Sequence, residues 1–301
     1  MQRIGDILMG KTSPAPHPMA KRFGEAMAQA QARAPKDIYE LEKERAERYN
    51  QTRGDLDASE YDCPVCLNRG HICHVEIRYG YLYVRYPECK CMEVRRSIWR
   101  IKQSGLAGSV ERCTFKAFKT PTDWQQRMKD IAERYCAEGA ENGAWLFYGG
   151  AVGCGKTHIC TAVAGALMRE KHMGLAYMTW PSESTRIKAV INDDEEYAEA
   201  VGRLKNVRVL YVDDFFKPIK DEFGRPKPPT AADVRLAYEV LNHRYINRLP
   251  TIISSERYLS EIEDIDIAIS SRITERSRGY SMTIGRDREK NYRLKGGADS
   301  D

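Results

Sequence analysis

The sequence predicts an α/β protein built on a sheet with a phosphate-binding loop. An apolar run at residues 145–148 leads into the glycine-rich segment 150–157, and a stretch of helical composition follows. A second apolar run, at 207–215, ends in two adjacent aspartates. Strand-like runs then alternate with helical stretches as far as residue 284. This alternation, with a glycine-rich loop between the first strand and its helix, is typical of nucleotide-binding sheets.

The composition is that of a soluble globular protein. The chain has 301 residues, enough for two domains, and a net charge of +5. No apolar run approaches the roughly 20 residues of a membrane span. The first 19 residues lack an apolar signal core, so we expect a cytoplasmic protein with no membrane partner. The nine cysteines then indicate metal binding or free thiols rather than disulfides.

The amino-terminal 60 residues are polar. Residues 1–19 have the composition of a flexible segment, and residues 20–50 are rich in Ala, Glu, Lys and Arg. Pro35 should split this stretch into two helices. Their apolar stripe is thin, which fits either an arm that docks on a partner or a helix packed on its own domain.

A cysteine-rich unit follows, with a C-x₂-C pair before and a C-x-C pair after two β-rich runs. The runs, 72–77 and 81–86, form a hairpin around Tyr79 and Gly80. The four predicted zinc ligands are Cys63, Cys66, Cys89 and Cys91. Four thiolates on two short turns can form a closed, structural tetrahedral site, which would stabilise a unit with little core. His71, Cys73 and His74 are alternative ligands, and unpaired thiols are the other interpretation.

The segment 92–129 is basic and carries interleaved aromatic side chains. It fits either a surface that tracks a nucleic-acid backbone or a linker to the core. Residues 124–139 are predicted to form the helix before the first core strand.

The segment Gly150–Thr157 matches the phosphate-loop pattern G-x-x-x-x-G-K-[ST]. Its glycines let the backbone N–H groups point inward at phosphate oxygens, and the following helix adds partial positive charge. Lys156 can reach the β- and γ-phosphates, and the Thr157 hydroxyl can ligate Mg²⁺. The residues expected to contact ATP or ADP here are Gly150, Gly153, Cys154, Gly155, Lys156, Thr157 and His158.

The strand 207–215 carries the second chemical motif. Asp213 should hold Mg²⁺ through its water shell, and Asp214 lies where an attacking water needs a base or an orienting group. A further strand, 250–256, ends in Ser255 and Glu256, which we expect beside the γ-phosphate. Simple capping of the strand is the alternative for these two residues.

The helix 267–276 carries Arg272 and Arg276. From spacing alone, either arginine fits equally a finger that reaches the γ-phosphate of a neighbouring subunit or a surface ion pair.

Three stretches together resemble the DnaC/DnaI-type helicase loaders, a branch of the AAA+ ATPases, and the related IstB-type transposition helpers. They are 150–157, 207–215, and the run from Tyr238 through Thr251–Ser255 to Ser271-Arg-Ile273. The resemblance implies a five-stranded parallel sheet, self-association through AAA+ interfaces, Arg272 as the finger and Glu256 at the sensor position. About 17 residues follow the last strand, so we expect no carboxy-terminal helical lid.

The cysteine unit resembles the zinc-bearing amino-terminal region of DnaI-like and phage-type loaders. In that branch this region grips a hexameric replicative helicase, and the core touches single-stranded DNA. The DNA-contacting element of the family follows the second core strand, which implies Trp180, Arg186 and Lys188 here, unless Trp180 is packed core. The Asp213–Asp214 pair, in place of the common Asp-Glu, implies slow, switch-like hydrolysis.

The resulting hypothesis is an ATP-dependent loader of a replicative helicase onto single-stranded DNA. The alternatives are a transposition helper that forms filaments on duplex DNA and a nucleotide-dependent DNA-binding module with little turnover. We expect the chain to comprise a helical arm (1–60), a zinc-binding, helicase-interacting domain (61–104), a linker (105–123), an ATPase core (124–287) and a charged tail (288–301).

Overall fold

The computed structural model describes residues 36–103, 107–220 and 222–292. The chain divides into two compact units, Met1–Cys89 and Lys90–Asp301. The helix predicted before Pro35 and the end of the charged tail lie outside the described residues. Among the described residues, no helix has the length and apolar character needed to cross a membrane.

From residue 36 to residue 89, where the structure describes it, the first unit holds one helix and one hairpin. These are α1 (Lys36–Gln51), β1 (His74–Arg78) and β2 (Tyr81–Arg85). The strands pair antiparallel, with Arg78 opposite Tyr81. Tyr79 and Gly80 both have positive φ, 52° and 78°. Two left-handed residues in a two-residue loop match the right-handed twist of the flanking strands, so this turn supports the hairpin.

Helix α1 packs on its own unit at its carboxy-terminal end. The side chain of Asn50 donates to the Cys73 carbonyl at 2.9 Å and accepts from the Cys73 amide at 2.8 Å. The ring of Tyr49 lies edge-on to that of Tyr86, with centroids 5.1 Å apart. Of the two interpretations of the arm, packing on its own domain therefore describes this end of the helix.

The second unit begins with three helices and continues as alternating strands and helices. The first helices are α2 (Cys91–Gln103), α3 (Ala107–Arg112) and α4 (Asp123–Arg134), the last continued by a π-helical turn (Tyr135–Gly139). The core strands are β3 (Trp145–Gly150), β4 (Leu175–Thr179), β5 (Val209–Asp213), β8 (Thr251–Ser254) and β9 (Ser281–Ile284). Between them lie α5 (Lys156–Arg169), α6 (Trp180–Ala189), α7 (Asp194–Asn206), α8 (Ala231–Ile246), α9 (Leu259–Glu263) and α10 (Ile267–Arg276).

The five core strands form one parallel sheet in the order β4-β5-β8-β3-β9, which confirms the predicted fold class. Tyr148 of β3 lies opposite Ser254 of β8, and Val212 of β5 lies opposite Ile253. The carboxyl ends of β3, β5 and β8 therefore meet at one edge of the sheet. This register brings the phosphate loop, the paired aspartates and the end of β8 together.

The three central strands of the sheet, β5, β8 and β3, are buried and consist mostly of apolar residues. Every residue of β3, β5 and β8 is buried. A buried polar group needs a partner, and the Trp145 indole donates to the Leu249 carbonyl at 3.0 Å. Runs of this kind are expected of parallel strands covered on both faces.

Arg244 is fully buried on the apolar face of α8. Its guanidinium donates to the carbonyls of Leu204, Val207 and Pro250 at 2.7–3.0 Å, and to the Thr251 hydroxyl at 2.9 Å. Burial lowers its pKa to about 9, so the side chain is still charged at neutral pH. Arg244 thus ties the end of α7 to the starts of β5 and β8.

Two segments differ in detail from the sequence prediction. The predicted helix at 182–204 is two helices, because Asp193 caps the start of α7 by accepting from the Glu196 amide at 2.9 Å. The predicted loop at 216–230 contains the two-residue strands β6 (Ile219–Lys220) and β7 (Pro226–Lys227).

Candidate nucleotide-binding site

The phosphate loop depends on glycine at several positions. Gly150, Gly153 and Gly155 have φ of 100°, 70° and 93°. A Cβ on Gly150 would lie 2.0 Å from the Ile284 carbonyl oxygen, and one on Gly153 would lie 2.0 Å from the Asn291 side chain. Only glycine adopts this backbone without strain. The loop therefore curls tightly and delivers the chain into α5 at Lys156.

Lys156 is 7% exposed and its ammonium group lies over the loop. Its Nζ donates to the carbonyls of Gly150 at 2.9 Å and Ala151 at 2.5 Å. The loop thus holds a buried positive charge at the amino-terminal end of α5. Phosphate oxygens are the ligands that this combination of cation, glycine-rich loop and helix end favours.

Thr157 and Asp213, the two predicted magnesium ligands, lie side by side. The Thr157 hydroxyl donates to the Asp213 carboxylate at 3.1 Å. Ser254 at the end of β8 also donates to this carboxylate, as does Tyr177 of β4 at 3.3 Å. Burial, reinforced by the charge of Asp213, raises the pKa of Tyr177 to about 12, so the phenol keeps its proton. Three hydroxyls therefore fix a carboxylate that is only 4% exposed.

A cavity of about 220 Å³ opens over the loop. It is lined by Val152, Gly153, Gly155, Lys156, Thr157, His158, Asp214, Lys217 and Glu256. Seven of these nine are residues that the sequence predicted for the nucleotide site. The cavity and the left-handed glycines are what a cradle for phosphate groups and a bound Mg²⁺ requires.

Lys217 was not predicted from the sequence, although it lines the same cavity. Its Nζ lies 2.8 Å from Asp214 Oδ2 and 3.3 Å from Glu256 Oε1. Burial lowers the pKa of Lys217, but the hydrogen bonds and charges of Asp214 and Glu256 outweigh burial and leave it raised. The sequence signal was weak because Lys217 begins a polar, proline-rich loop with no periodic pattern.

Some predicted residues lie outside the cavity lining. The Ser255 hydroxyl donates to the Phe215 carbonyl at 2.6 Å and accepts from the Arg257 amide at 3.0 Å, so its side chain caps the strand, as in the alternative interpretation. Cys154 is buried and its thiol contacts the Ala151 carbonyl at 3.0 Å. Gly150 contributes the sharp turn at the start of the loop.

His158 lies beside Phe118. The ring centroids are 5.4 Å apart, and His158 Nε2 lies 3.2 Å from the Thr114 carbonyl oxygen. Phe118 also lies against Gly155, since a Cβ there would be 2.9 Å from the phenyl ring. Part of the basic segment 92–129 is therefore packed against the phosphate loop.

Arg272 lies between α10 and α8 rather than in the cavity lining. It donates to Asn242 Oδ1 at 3.0 Å and to the Ala268 carbonyl at 2.8 Å, and its guanidinium stacks 4.9 Å from the Tyr238 ring centroid. Arg276 donates to the Gly143 carbonyl at 2.6 Å. Arg272 is the more completely held by aromatic side chains, because it also stacks on Tyr245 at 5.4 Å.

The residues predicted to contact DNA are placed differently from that expectation. Trp180 is 6% exposed and lies edge-on to Phe215 and Phe216, a placement that favours the packed-core alternative over stacking on a base. Lys188 pairs with Asp233 at 2.5 Å in a part-buried contact. Arg186 pairs with Glu183 at 2.7 Å, but its side chain is 61% exposed.

Four buried cysteines form a second site. The sulfur atoms of Cys63, Cys66, Cys89 and Cys91 all lie within 4.8 Å of one another, and the Cys63 and Cys89 sulfurs are 3.9 Å apart. Zinc–sulfur bonds of about 2.3 Å in a tetrahedron place sulfurs about 3.8 Å apart. The donor set therefore fits a zinc ion. Cys73, His71 and His74 are not in the group.

The turn after Cys66 orients the first pair of cysteines. Leu67 and Asn68 both have positive φ, 48° and 63°. The buried Asn68 accepts from the Cys63 amide at 2.9 Å, and the Gly70 amide donates to the Cys66 sulfur at 3.3 Å. Amide donation to sulfur favours the thiolate form that a metal requires.

Comparison with known proteins places this geometry in a family. No family model matches the chain. The phage-like element PBSX protein XkdC of Bacillus subtilis is 32% identical over 252 residues, which cover 80% of this chain and 90% of XkdC. The replicative helicase loader DnaC of Buchnera aphidicola subsp. Schizaphis graminum is 32% identical over 81 residues, or 27% of this chain and 32% of that protein.

Among solved structures, a crystal structure of the DnaC helicase loader aligns with 59% of this chain and 98% of its own. The TM-score is 0.50 and the identity 17%, which establishes a shared fold. The chain belongs to the family of the PBSX protein XkdC and has the AAA+ fold of the DnaC/DnaI-type helicase loaders.

Proposed function

We propose that this protein is an ATP-dependent loader of a hexameric replicative helicase onto single-stranded DNA. The observation that carries the proposal is the convergence of Lys156, Thr157 and Asp213 at the carboxyl edge of the sheet. The similarity to a replicative helicase loader adds the biological setting. A replication-initiation ATPase is the function class with which both agree.

In the proposed site, each residue has a distinct task. The loop amides and Lys156 hold the phosphates of ATP or ADP, while Thr157 and Asp213 hold Mg²⁺. The ion neutralises charge that develops on the transferred phosphoryl group. Asp214 orients the attacking water and accepts its proton, and Glu256 lines the same cavity.

Self-association is proposed to complete the hydrolytic site. Arg272 lies on the α8–α10 surface, which also exposes Tyr238, Ile246 and Ile267. An arginine supplied by a neighbouring copy would stabilise charge at the γ-phosphate. Arg272 is therefore expected to affect hydrolysis in the assembly more than nucleotide binding by one chain.

The four-cysteine group is proposed to bind a structural zinc ion and to present residues 61–104 to the helicase. The group favours the loader over a transposition helper, whose amino-terminal region we expect to be helical and free of metal. Of the three residues predicted to contact single-stranded DNA, we retain Arg186 as a proposed phosphate contact. Its exposed ion pair is weak enough for a phosphate group to replace the carboxylate.

A loading assay tests the proposal. The full-length chain is mixed with the replicative helicase of its organism and circular single-stranded DNA, and the helicase retained on the circles is counted with and without ATP. We expect ATP-dependent retention that Lys156→Ala abolishes and Asp214→Asn impairs. A chain that binds no helicase contradicts the proposal, and filaments on duplex DNA would favour the transposition helper. Full function of Asp214→Asn would favour a binding module with little turnover.

A further inference from the structure

Lys217 occupies a position in the nucleotide cavity that the proposed chemistry does not explain. It lines the same cavity as Lys156 and Thr157, and it bridges two carboxylates, at 2.8 Å and 3.3 Å. Its side chain remains 40% exposed. Exposed ion pairs are weak, so an ammonium group that faces the open cavity is free to contact a further anion there.

The backbone around Lys217 is held in place. Asp214 and Phe216 have φ of 55° and 49°, so the chain reverses immediately after β5. The Lys217 amide donates to the Asp214 carbonyl at 3.0 Å and closes this turn. Phe215 and Phe216 are both buried and their rings stack at 4.1 Å. Left-handed non-glycine residues are costly and persist where the surrounding packing enforces them.

The charges in the cavity point to a ligand for Lys217. Asp214 and Glu256 both face the space above the phosphate loop, where a third phosphoryl group would add further negative charge. Without a cation at this position, two carboxylates would repel that group. The Lys156 ammonium donates to the loop carbonyls of Gly150 and Ala151, whereas Lys217 lies beside the two carboxylates.

We propose that Lys217 is a second nucleotide-contacting cation, which binds the terminal phosphoryl group of a triphosphate and so distinguishes ATP from ADP. The inference rests on the proposed nucleotide site. When the Lys217 ammonium pairs with the phosphoryl group, Asp214 and Glu256 lose the cation that they share. Asp214 is then available to orient water only while a triphosphate is bound, which couples the hydrolytic group to the nucleotide state.

Equilibrium binding by the full-length chain tests the inference without relying on hydrolysis. Affinities for a non-hydrolysable ATP analogue and for ADP are measured with Mg²⁺ for the unmodified chain, Lys217→Met and Lys217→Arg. A charge-assisted hydrogen bond corresponds to about tenfold or more in affinity. We expect Lys217→Met to lose at least about tenfold for the analogue and less than about twofold for ADP, and Lys217→Arg to retain most of the preference.

A second background separates direct contact from charge neutralisation. In a chain that carries both Asp214→Asn and Glu256→Gln, Lys217 has no carboxylate to neutralise. We expect Lys217→Met to weaken analogue binding about tenfold in this background too. If Lys217→Met no longer weakened analogue binding in this background, or if it weakened the binding of both nucleotides equally, the proposed role of Lys217 would be overturned. The proposed nucleotide site itself would not be affected by either result. An unmodified chain that binds neither nucleotide would overturn both proposals.

Discussion

The strands of the two units have similar β-rich sequences but opposite environments. Every residue of β3 is buried, whereas neither strand of the hairpin, β1 or β2, has a buried residue. In the second unit, apolar burial holds the sheet. The first unit buries little apolar surface. The buried side chains among residues 38–89 are those of Ala46, Asn68, Cys63, Cys66, Cys73 and Cys89. A unit whose interior consists largely of thiols needs another source of stability.

Strands of similar β-rich sequence can therefore be stabilised either by burial of apolar surface or by a bound metal ion. Apolar area contributes about 25 cal/mol per Å² removed from water, which suffices for a buried five-stranded sheet. Structural zinc in finger peptides contributes about 10–16 kcal/mol at neutral pH. The account therefore predicts that the two units respond to different perturbations, and the experiments below are ordered by the size of the expected effect.

Loss of the metal site is expected to have the largest effect. If the four-cysteine group binds the proposed zinc ion, Cys63→Ser or chelation of the purified chain should remove that ion and unfold the hairpin, since the metal would supply most of the folding free energy of this unit. Metal content and amide exchange of residues 61–90 measure this. Cys73→Ala is the matched control, because Cys73 is buried but not in the sulfur group. Retention of both zinc and amide protection by Cys63→Ser would remove the contrast between the units.

Arg244→Met should be the most damaging single change in the second unit. It removes the guanidinium that donates to the carbonyls of Leu204 and Val207, and it leaves the Pro250 carbonyl with the Leu210 amide, at 3.3 Å, as its donor. We expect a loss of about 3–5 kcal/mol in the free energy of unfolding, measured by urea denaturation. Arg235→Met, on the exposed face of the same helix, should change it by less than about 0.5 kcal/mol. If Arg244→Met and Arg235→Met both changed the free energy of unfolding by the same small amount, the buried guanidinium would not be needed for stability.

Two glycine substitutions sharpen the comparison within the second unit. Gly150→Ala forces a Cβ to within 2.0 Å of the Ile284 carbonyl at φ of 100°, so we expect a loss of about 1–3 kcal/mol. Gly202→Ala lies in α7 with no atom within 4 Å of the added Cβ, and it should stabilise by about 0.5–1 kcal/mol. Melting temperatures should therefore move in opposite directions, and a shift of the same sign for both would contradict the geometry.

The sequence predicted the parts of the fold that local pattern encodes. Apolar runs predicted the strands at 145–148 and 207–215, and the phosphate loop and the cysteine pairs carried their own spacing. Arg244 follows Ala237 and Leu241 on the same helical face, so a signal was present there and was overlooked. Tyr177 reaches the site only through the sheet order, which no local pattern specifies, and Lys217 lies three residues after Asp214 in a loop without a periodic pattern.

The burial of Trp180 has a related cause. A tryptophan at the end of a strand has the same local pattern whether its ring packs inward or faces a ligand. Here Phe215 and Phe216 pack against the ring of Trp180, although both lie more than 30 residues away in the sequence. Likewise, Ser255 follows a strand that ends at the site, but its hydroxyl donates a hydrogen bond to the Phe215 carbonyl.

The central claim is that Lys156 holds the phosphates of a magnesium-bound adenine nucleotide, and a binding titration tests it most directly. The full-length chain and Lys156→Ala are titrated with a fluorescent, non-hydrolysable ATP analogue in Mg²⁺, with melting curves as a check on folding. The account predicts saturable binding by the unmodified chain and a loss of at least about a hundredfold for the folded variant, because it lacks the buried cation of the loop. Equal affinity for both chains, or no binding by the unmodified one, would contradict it.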